Sequence, residues 1–278
     1  MRYNIDKGCT DVTCRLLLEV ENMKFEVSDL LFPGFTKKAL HERQLDSSYG
    51  IEFFYEFGKD YYWNEEIAAW GERSLSIHGP CVAVNLASPK QKNYAKIWEK
   101  TFAYAKKVQA DFVVVHTNEE LPAAEEKEAV QAKVIRRLRK IVALGKKYEV
   151  QVLIENVGLR PKESLLFDLP DYMALFDVFP EAGALIDTGH AHVNGWDIPA
   201  VVEALGDRLK ACHIHDNDGS GDAHLPLGQG DIDWKTYFAA IKKYAPQATQ
   251  VLEYCCGFGD TESLEQHIAG LKKKYRLK

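Results

Sequence analysis

Residues 213–234, HIHDNDGSGDAHLPLGQGDIDW, hold three histidines and five aspartates in 22 positions, directly after the apolar-leaning run Leu209-Lys210-Ala211-Cys212. Imidazole nitrogens mixed with carboxylate oxygens suit Zn²⁺, Mn²⁺ or Fe, and are too nitrogen-rich for Ca²⁺ or Mg²⁺ alone. Other short apolar runs end the same way. SLSIHGP (74–80) ends in His78, DFVVVHT (111–117) in His116 and VQVLIENVG (150–158) in Glu155. GALIDTGH (183–190) ends in Asp187, with His190 and His192 behind it. LKACHIHD (209–216) ends in His213 and His215, with Asp222 and His224 in the loop that follows, and TQVLEYCC (249–256) ends in Glu253. Of nine histidines only His41 and His267 fall outside this set, both on helical patterns. Charged groups are rarely buried unless paired or bound to metal. Seven histidines with Glu155, Asp187, Asp222 and Glu253 therefore point to a metal centre, provided the fold gathers the strand ends.

The elements that must do so are legible. KFEVSDLLF (24–32) begins as a strand and GIEFFYEF (50–57) is a second, which with the six runs above makes eight. Helical patterns separate them. SPKQKNYAKIWEKTFAYAKKVQA (88–110) opens with Ser88 as N-cap and Pro89 in the first turn. AAEEKEAVQAKVIRRLRKIVALGKKY (123–148) is acidic early and basic late, as the helix dipole prefers. DLPDYMALFDVF, IPAVVEALG, DWKTYFAAIKKY and TESLEQHIAGLKKKY follow, and FTKKALHERQL is the first crossover. The strand cores are near-continuous apolar runs, as in parallel strands covered on both faces. Eight strand–helix units predict a single-domain α/β fold, a (β/α)₈ TIM barrel over residues 23–278. No glycine-rich dinucleotide fingerprint follows the first strand, which speaks against a doubly wound sheet. Residues 1–22 are surplus, an N-terminal extension to which no role is assigned. In such a barrel the catalytic groups sit at the carboxyl ends of the strands, where these histidines and carboxylates lie.

The motifs resemble the xylose-isomerase-like TIM-barrel superfamily. MKFEVSDLLFPGF looks like the first strand and turn of its isomerase/epimerase members. LIENVG, LIDTGHAHVNG, HIHDNDGSGDAHLPLGQGDIDW and VLEY look like its later motifs. The resemblance covers Met23 to about Tyr275. It implies two ligand patterns. Epimerase-type members hold one divalent ion with positions matching Glu155, Asp187, His213 and Glu253. The related endonuclease IV pattern adds His78, His116, His190, Asp222 and His224 for a three-metal cluster. The chain keeps all nine, so the expected cofactor is one to three divalent ions, Zn²⁺ or Mn²⁺.

The first functional expectation is a metal-dependent sugar or sugar-phosphate isomerase/epimerase. Glu155 and Glu253 would be base and acid in proton transfer next to a carbonyl. His190 and His215 would contact substrate, with His215 pointing to the same side as His213 by alternation. The aromatic-rich FFYEFGKDYYWNEE would wall the pocket. The alternative is an endonuclease IV-like, abasic-site phosphodiester hydrolase with a zinc cluster. Against it, Gly79-Pro80-Cys81-Val82 follows His78 where DNA-repair members present bulky wedging residues, and no basic, aromatic grip for a minor groove is found. The formal net charge of −6 also argues against DNA as a partner. Asp222 and His224, one residue apart, would face the same way in an extended backbone and grip a second ion. A small sugar or sugar phosphate is thus the expected partner, and a homo-oligomer is compatible with the sequence. No apolar run reaches the ~18 residues of a membrane span and no signal peptide is read. The six cysteines lack CxxC spacing and read as free thiols in a reducing cytoplasm.

Overall fold

A computed structural model describes residues 23–34, 45–56 and 58–277. The extension 1–22, most of the first crossover and His41 lie outside the described residues. Eight parallel strands close into one barrel in sequence order. They are β1 (Phe25–Ser28), β2 (Gly50–Phe54), β3 (Leu75–His78), β4 (Phe112–Val115), β5 (Gln151–Glu155), β6 (Gly183–Asp187), β7 (Leu209–Ile214) and β8 (Thr249–Leu252). The α-helices among the described residues are α1 (Asp60–Trp70), α2 (Tyr94–Val108), α3 (Lys127–Tyr148), α4 (Leu169–Val178), α5 (Thr188–Val193), α6 (Ile198–Leu205), α7 (Trp234–Tyr244) and α8 (Thr261–Tyr275). Aspartates at positions 168, 187, 197, 233 and 260 cap α4 to α8, each accepting from a backbone N–H of the first turn. The expected strands are all present, and the α/β barrel class holds.

Strand alternation divides the core in two. Outward side chains such as Phe25, Val27, Phe53, Ile77, Val113, Ile154, Ile186 and Cys212 pack under the helices. Inward ones meet inside the barrel. Phe112, Val114, Leu153, Leu185, Ala211 and Val251 form a small apolar cluster there. On the β1–β3 side the interior is polar instead: Glu26, Ser28, Glu52 and Ser76 are fully buried. Gly50 makes this arrangement fit, because a Cβ there would lie 2.6 Å from Glu26 Cγ.

Two local expectations are corrected. The second long helix begins at Tyr94, not at Ser88. Ser88 Oγ accepts from Lys90 N, and the Leu86 and Ser88 carbonyls each accept from Arg137 Nη1 at 2.7 Å. The serine therefore closes a turn tied to α3 rather than a cap. Most of the described residues in 53–66 do not wall the pocket: the latter part is α1, Tyr61 and Tyr62 are exposed, and Phe53, Tyr55 and Trp63 are in the outer core. Among the described residues of that stretch only Phe54 lines the mouth, stacked on His78 with ring centroids 4.0 Å apart.

Candidate metal centre at the barrel mouth

Each expected ligand is carried to the mouth by the end of a strand or the residues just after it. His78 closes β3 and His116 directly follows β4. Glu155 and Asp187 are the last residues of β5 and β6. Asn156 ties these two ends together, donating to Asp187 O at 3.1 Å and accepting from Asp187 N at 2.7 Å. Asp187 also caps α5 by accepting from His190 N at 2.6 Å, which brings His190 back over the carboxylates.

The nine side chains assemble into three adjoining groups. In one, His116 Nε2 lies 2.9 Å from Glu155 Oε2 and 3.1 Å from His78 Nε2. In the central one, His213 Nδ1 lies 3.4 Å from Glu253, 3.5 Å from Glu155 and 4.0 Å from Asp187. In the third, Asp222 Oδ2 lies 3.2 Å from His190 Nε2 and 3.1 Å from His224 Nε2. Four imidazoles share one orientation. The Nδ1–H groups of His78, His190 and His224 donate to the carbonyls of Gly79, Asn156 and Glu253 at 3.0, 3.1 and 2.8 Å. His116 Nδ1 donates to Glu119 at 2.6 Å. All four thus direct Nε2 inward, as metal-ligating histidines do when an outer partner fixes the ring.

His215 is fully buried behind this shell, with Nε2 2.9 Å from Asp187 Oδ2 and its ring stacked on His224 at 4.0 Å. Gly189 leaves room for it, since a Cβ there would fall 2.0 Å from His215 Cε1. His192 does not join the mouth. It sits on the outer side of α5, 2.6 Å from Asp231, so six of the seven strand-end histidines converge. The extended backbone expected at 222–224 is also corrected: His224 has φ of 44°, in the left-handed region. Its hydrogen bond to Glu253 O holds this uncommon conformation and still turns Nε2 to Asp222. Two groups escaped the sequence reading. Glu52 on β2 lies 2.9 Å from His213 Nε2, and Glu119 orients His116.

The donor set fits a divalent ion. Glu155, Asp187 and Glu253 are buried, and among the described residues their ion-pair partners are histidines alone. Two imidazole lone pairs face each other between His78 and His116, where a positive charge must sit. Among the described residues, buried His213 Nδ1 and Asp222 Oδ1 make no hydrogen bond. In the metal-free protein protons supply the missing charge. Burial lowers His116 and His224, but the carboxylates of Glu155 and Glu119, and of Asp222 and Glu253, raise them to about 10 and about 9. Burial and proximity to His116 hold His78 well below its ordinary value, so one proton serves that pair. Burial pushes Glu253 up to about 8, against the pull of His213 and His224. Burial also opposes ionisation of Glu155, yet His116 and His213 hold it well below the carboxylate range.

These shifts set a pH dependence. The folded values of His116, His224 and Glu253 all exceed their ordinary values, so their contribution is complete at low pH and is lost as pH rises through the folded values. The thermal midpoint of chelator-treated protein is expected to fall between about pH 7 and about pH 10. A flat or rising midpoint across that window contradicts the proton bookkeeping above.

A cavity of about 300 Å³ opens onto the groups, lined by His78, His116, Glu155, His190, Asp222, His224 and Glu253, with Phe54, Val157 and Lys162 at its sides. A family model described as a xylose isomerase-like TIM barrel matches residues 38–274. Among solved structures the chain is similar to a D-tagatose 3-epimerase-like protein, at 21% identity and a TM-score of 0.69 over 91% of this chain and 99% of that one. It is similar to a family 2 AP endonuclease from Brucella melitensis, at 13% identity and a TM-score of 0.71 over 89% and 98%. It is also similar to the IOLI protein with a binding zinc atom, at 14% identity and a TM-score of 0.72 over 91% and 98%. At these identities the likeness to each solved structure carries the fold alone.

Proposed function

The chain belongs to the xylose isomerase-like TIM barrel family, and from that premise we propose that it is a divalent-metal-dependent isomerase or epimerase of a small ketose or ketose phosphate. One observation carries the reading. Glu155 and Glu253 line one small cavity and both approach the same nitrogen of His213. At about 300 Å³ the cavity is at the small end of ordinary ligand sites and suits a single sugar. The D-tagatose 3-epimerase-like neighbour agrees with that substrate class.

Glu155, Asp187, His213 and Glu253 would hold the ion central to the reaction. When bound, the ion supplies positive charge that polarises a carbonyl and makes the neighbouring C–H more acidic. Glu155 would take the proton from the carbon next to the carbonyl, and Glu253 would return one to the opposite face of that same carbon, which inverts the centre. His190 donates to a substrate hydroxyl or joins the ligand set through Nε2. His215 supports Asp187 from behind rather than lining the cavity. Lys162 is the one Lys or Arg among the described lining residues and suits the phosphate of a sugar phosphate.

A second reading, zinc-dependent phosphodiester hydrolysis, is favoured by the division of the donors into three groups. Asp222, His190 and His224 would then hold an ion distinct from the central one. The test is incubation of Zn²⁺- or Mn²⁺-loaded protein in deuterium oxide with a panel of pentuloses, hexuloses and their phosphates. Deuterium is expected to enter carbon-bound positions next to the carbonyl of at least one sugar. Incision of abasic-site duplex DNA, lost on chelation, with no exchange into any ketose would reverse the order of the two readings.

A further inference from the structure

The polar sector of the barrel interior is not used by the chemistry above. Glu52 faces inward on β2, and its Oε1 lies 2.9 Å from His213 Nε2. Both atoms are buried, and among the described residues neither makes a hydrogen bond, the other included, so their 2.9 Å approach is an ion-pair contact. Glu52 Oε2 lies 3.4 Å from Ser76 Oγ, and Ser76 also donates to Glu26. Glu26 in turn accepts from Ser74 at 2.6 Å and lies 3.2 Å from Lys24. Polar contacts therefore run without a break from the amino-terminal end of β1 to the far edge of the His213 ring. Barrel interiors are normally filled with branched apolar side chains, and the β4–β8 side of this one is. Two fully buried carboxylates in one small sector call for a task that apolar packing cannot perform.

We infer that Glu52 is a positioning residue for His213, holding Nε2 so that Nδ1 faces Glu155, Asp187 and Glu253. An imidazole binds an ion through its unprotonated nitrogen only. At His78, His116, His190 and His224 the outer partner takes Nδ1–H and leaves Nε2 for the ion. His213 is turned the other way: Nδ1 is among the carboxylates and Nε2 meets Glu52. Among the described residues Glu52 is the one ion-pair partner at Nε2. The inference rests on the metal reading proposed above.

The test compares parent, Glu52→Gln and Glu52→Leu. Zn²⁺ affinity is measured by competition with a chromophoric chelator, and ring N–H signals are read by NMR in the Zn²⁺-loaded protein. Affinity is expected to fall roughly 10–100-fold, less in the isosteric Gln variant than in Leu. The parent His213 is expected to show a protected Nε2 proton and a metal-bound Nδ1, with the proton signal lost in Glu52→Leu. Parent-like affinity in Glu52→Gln, or binding through Nε2, overturns the assignment. If Glu52→Leu does not fold, Glu52→Gln carries the test. A purely structural Glu52 would lower the melting temperature of the metal-free variants and leave Zn²⁺ affinity unchanged. A parent that binds no Zn²⁺ removes the metal reading itself, whereas a parent that binds with unaltered variants refutes Glu52 alone.

Discussion

Glu155→Gln and Glu253→Gln are each expected to lower solvent-deuterium exchange into the ketose by roughly 10²–10⁴-fold, the usual contribution of a general acid or base. The substitution keeps shape and removes the ability to take up or release a proton. At Glu155 it also takes the negative charge from between His116 and His213, which lie 2.9 and 3.5 Å from its carboxylate. At Glu253 it removes the group proposed to return the proton. Because both carboxylates are also proposed ligands, bound metal is measured on the same samples. A variant that keeps its metal and loses exchange isolates the proton-transfer role. Exchange within about tenfold of the parent in either variant rejects the assignment of that residue.

The second large effect is on stability. Glu52, Glu155, Asp187, Asp222 and Glu253 crowd one end of the barrel, and histidine protons are their only counter-charges among the described residues. An ion that binds the folded chain alone stabilises it by about 4 kcal/mol at a thousandfold excess over its Kd. At roughly 2–4 °C per kcal/mol for chains of somewhat smaller size, Zn²⁺ is expected to raise the thermal midpoint of chelator-treated protein by roughly 8–16 °C. Differential scanning calorimetry with and without Zn²⁺ measures this. A change under about 2 °C at saturating Zn²⁺ contradicts a metal centre of this depth.

Much of this mouth was legible because it breaks a simple rule. A parallel strand covered on both faces is apolar along its length, so His78, Glu155, Asp187, His213 and Glu253 at the ends of such runs stand out. Barrel topology then places them together whatever their distance along the chain. Contacts across strands were harder to read. Glu52 lies in GIEFF, where a single charge passes for the solvent face of a half-buried strand. Only closure of the barrel turns that face inward. His192 follows two residues after His190, and a strand period puts both on one face. The region is a helix, in which positions two apart point in different directions, so His192 turns out to Asp231. The left-handed backbone at His224 had no local signal, since it is set by a carbonyl from β8's end, 29 residues away.

The four imidazoles anchored through Nδ1 bear on which element the proposed centre would take up in a cell. Three are held by main-chain carbonyls of the residues that directly follow β3, β5 and β8, so their inward nitrogens are arranged before any ion arrives. A rigid, nitrogen-rich cradle of this kind does little to discriminate among first-row divalent ions by adjusting its shape. Affinity then follows the intrinsic order from Mn²⁺ through Fe²⁺ to Zn²⁺, and occupancy follows what the surroundings offer. Metallation of the proposed centre would then be a matter of supply: a Zn²⁺-rich growth medium and a Mn²⁺-rich one are expected to yield the same folded chain carrying different elements.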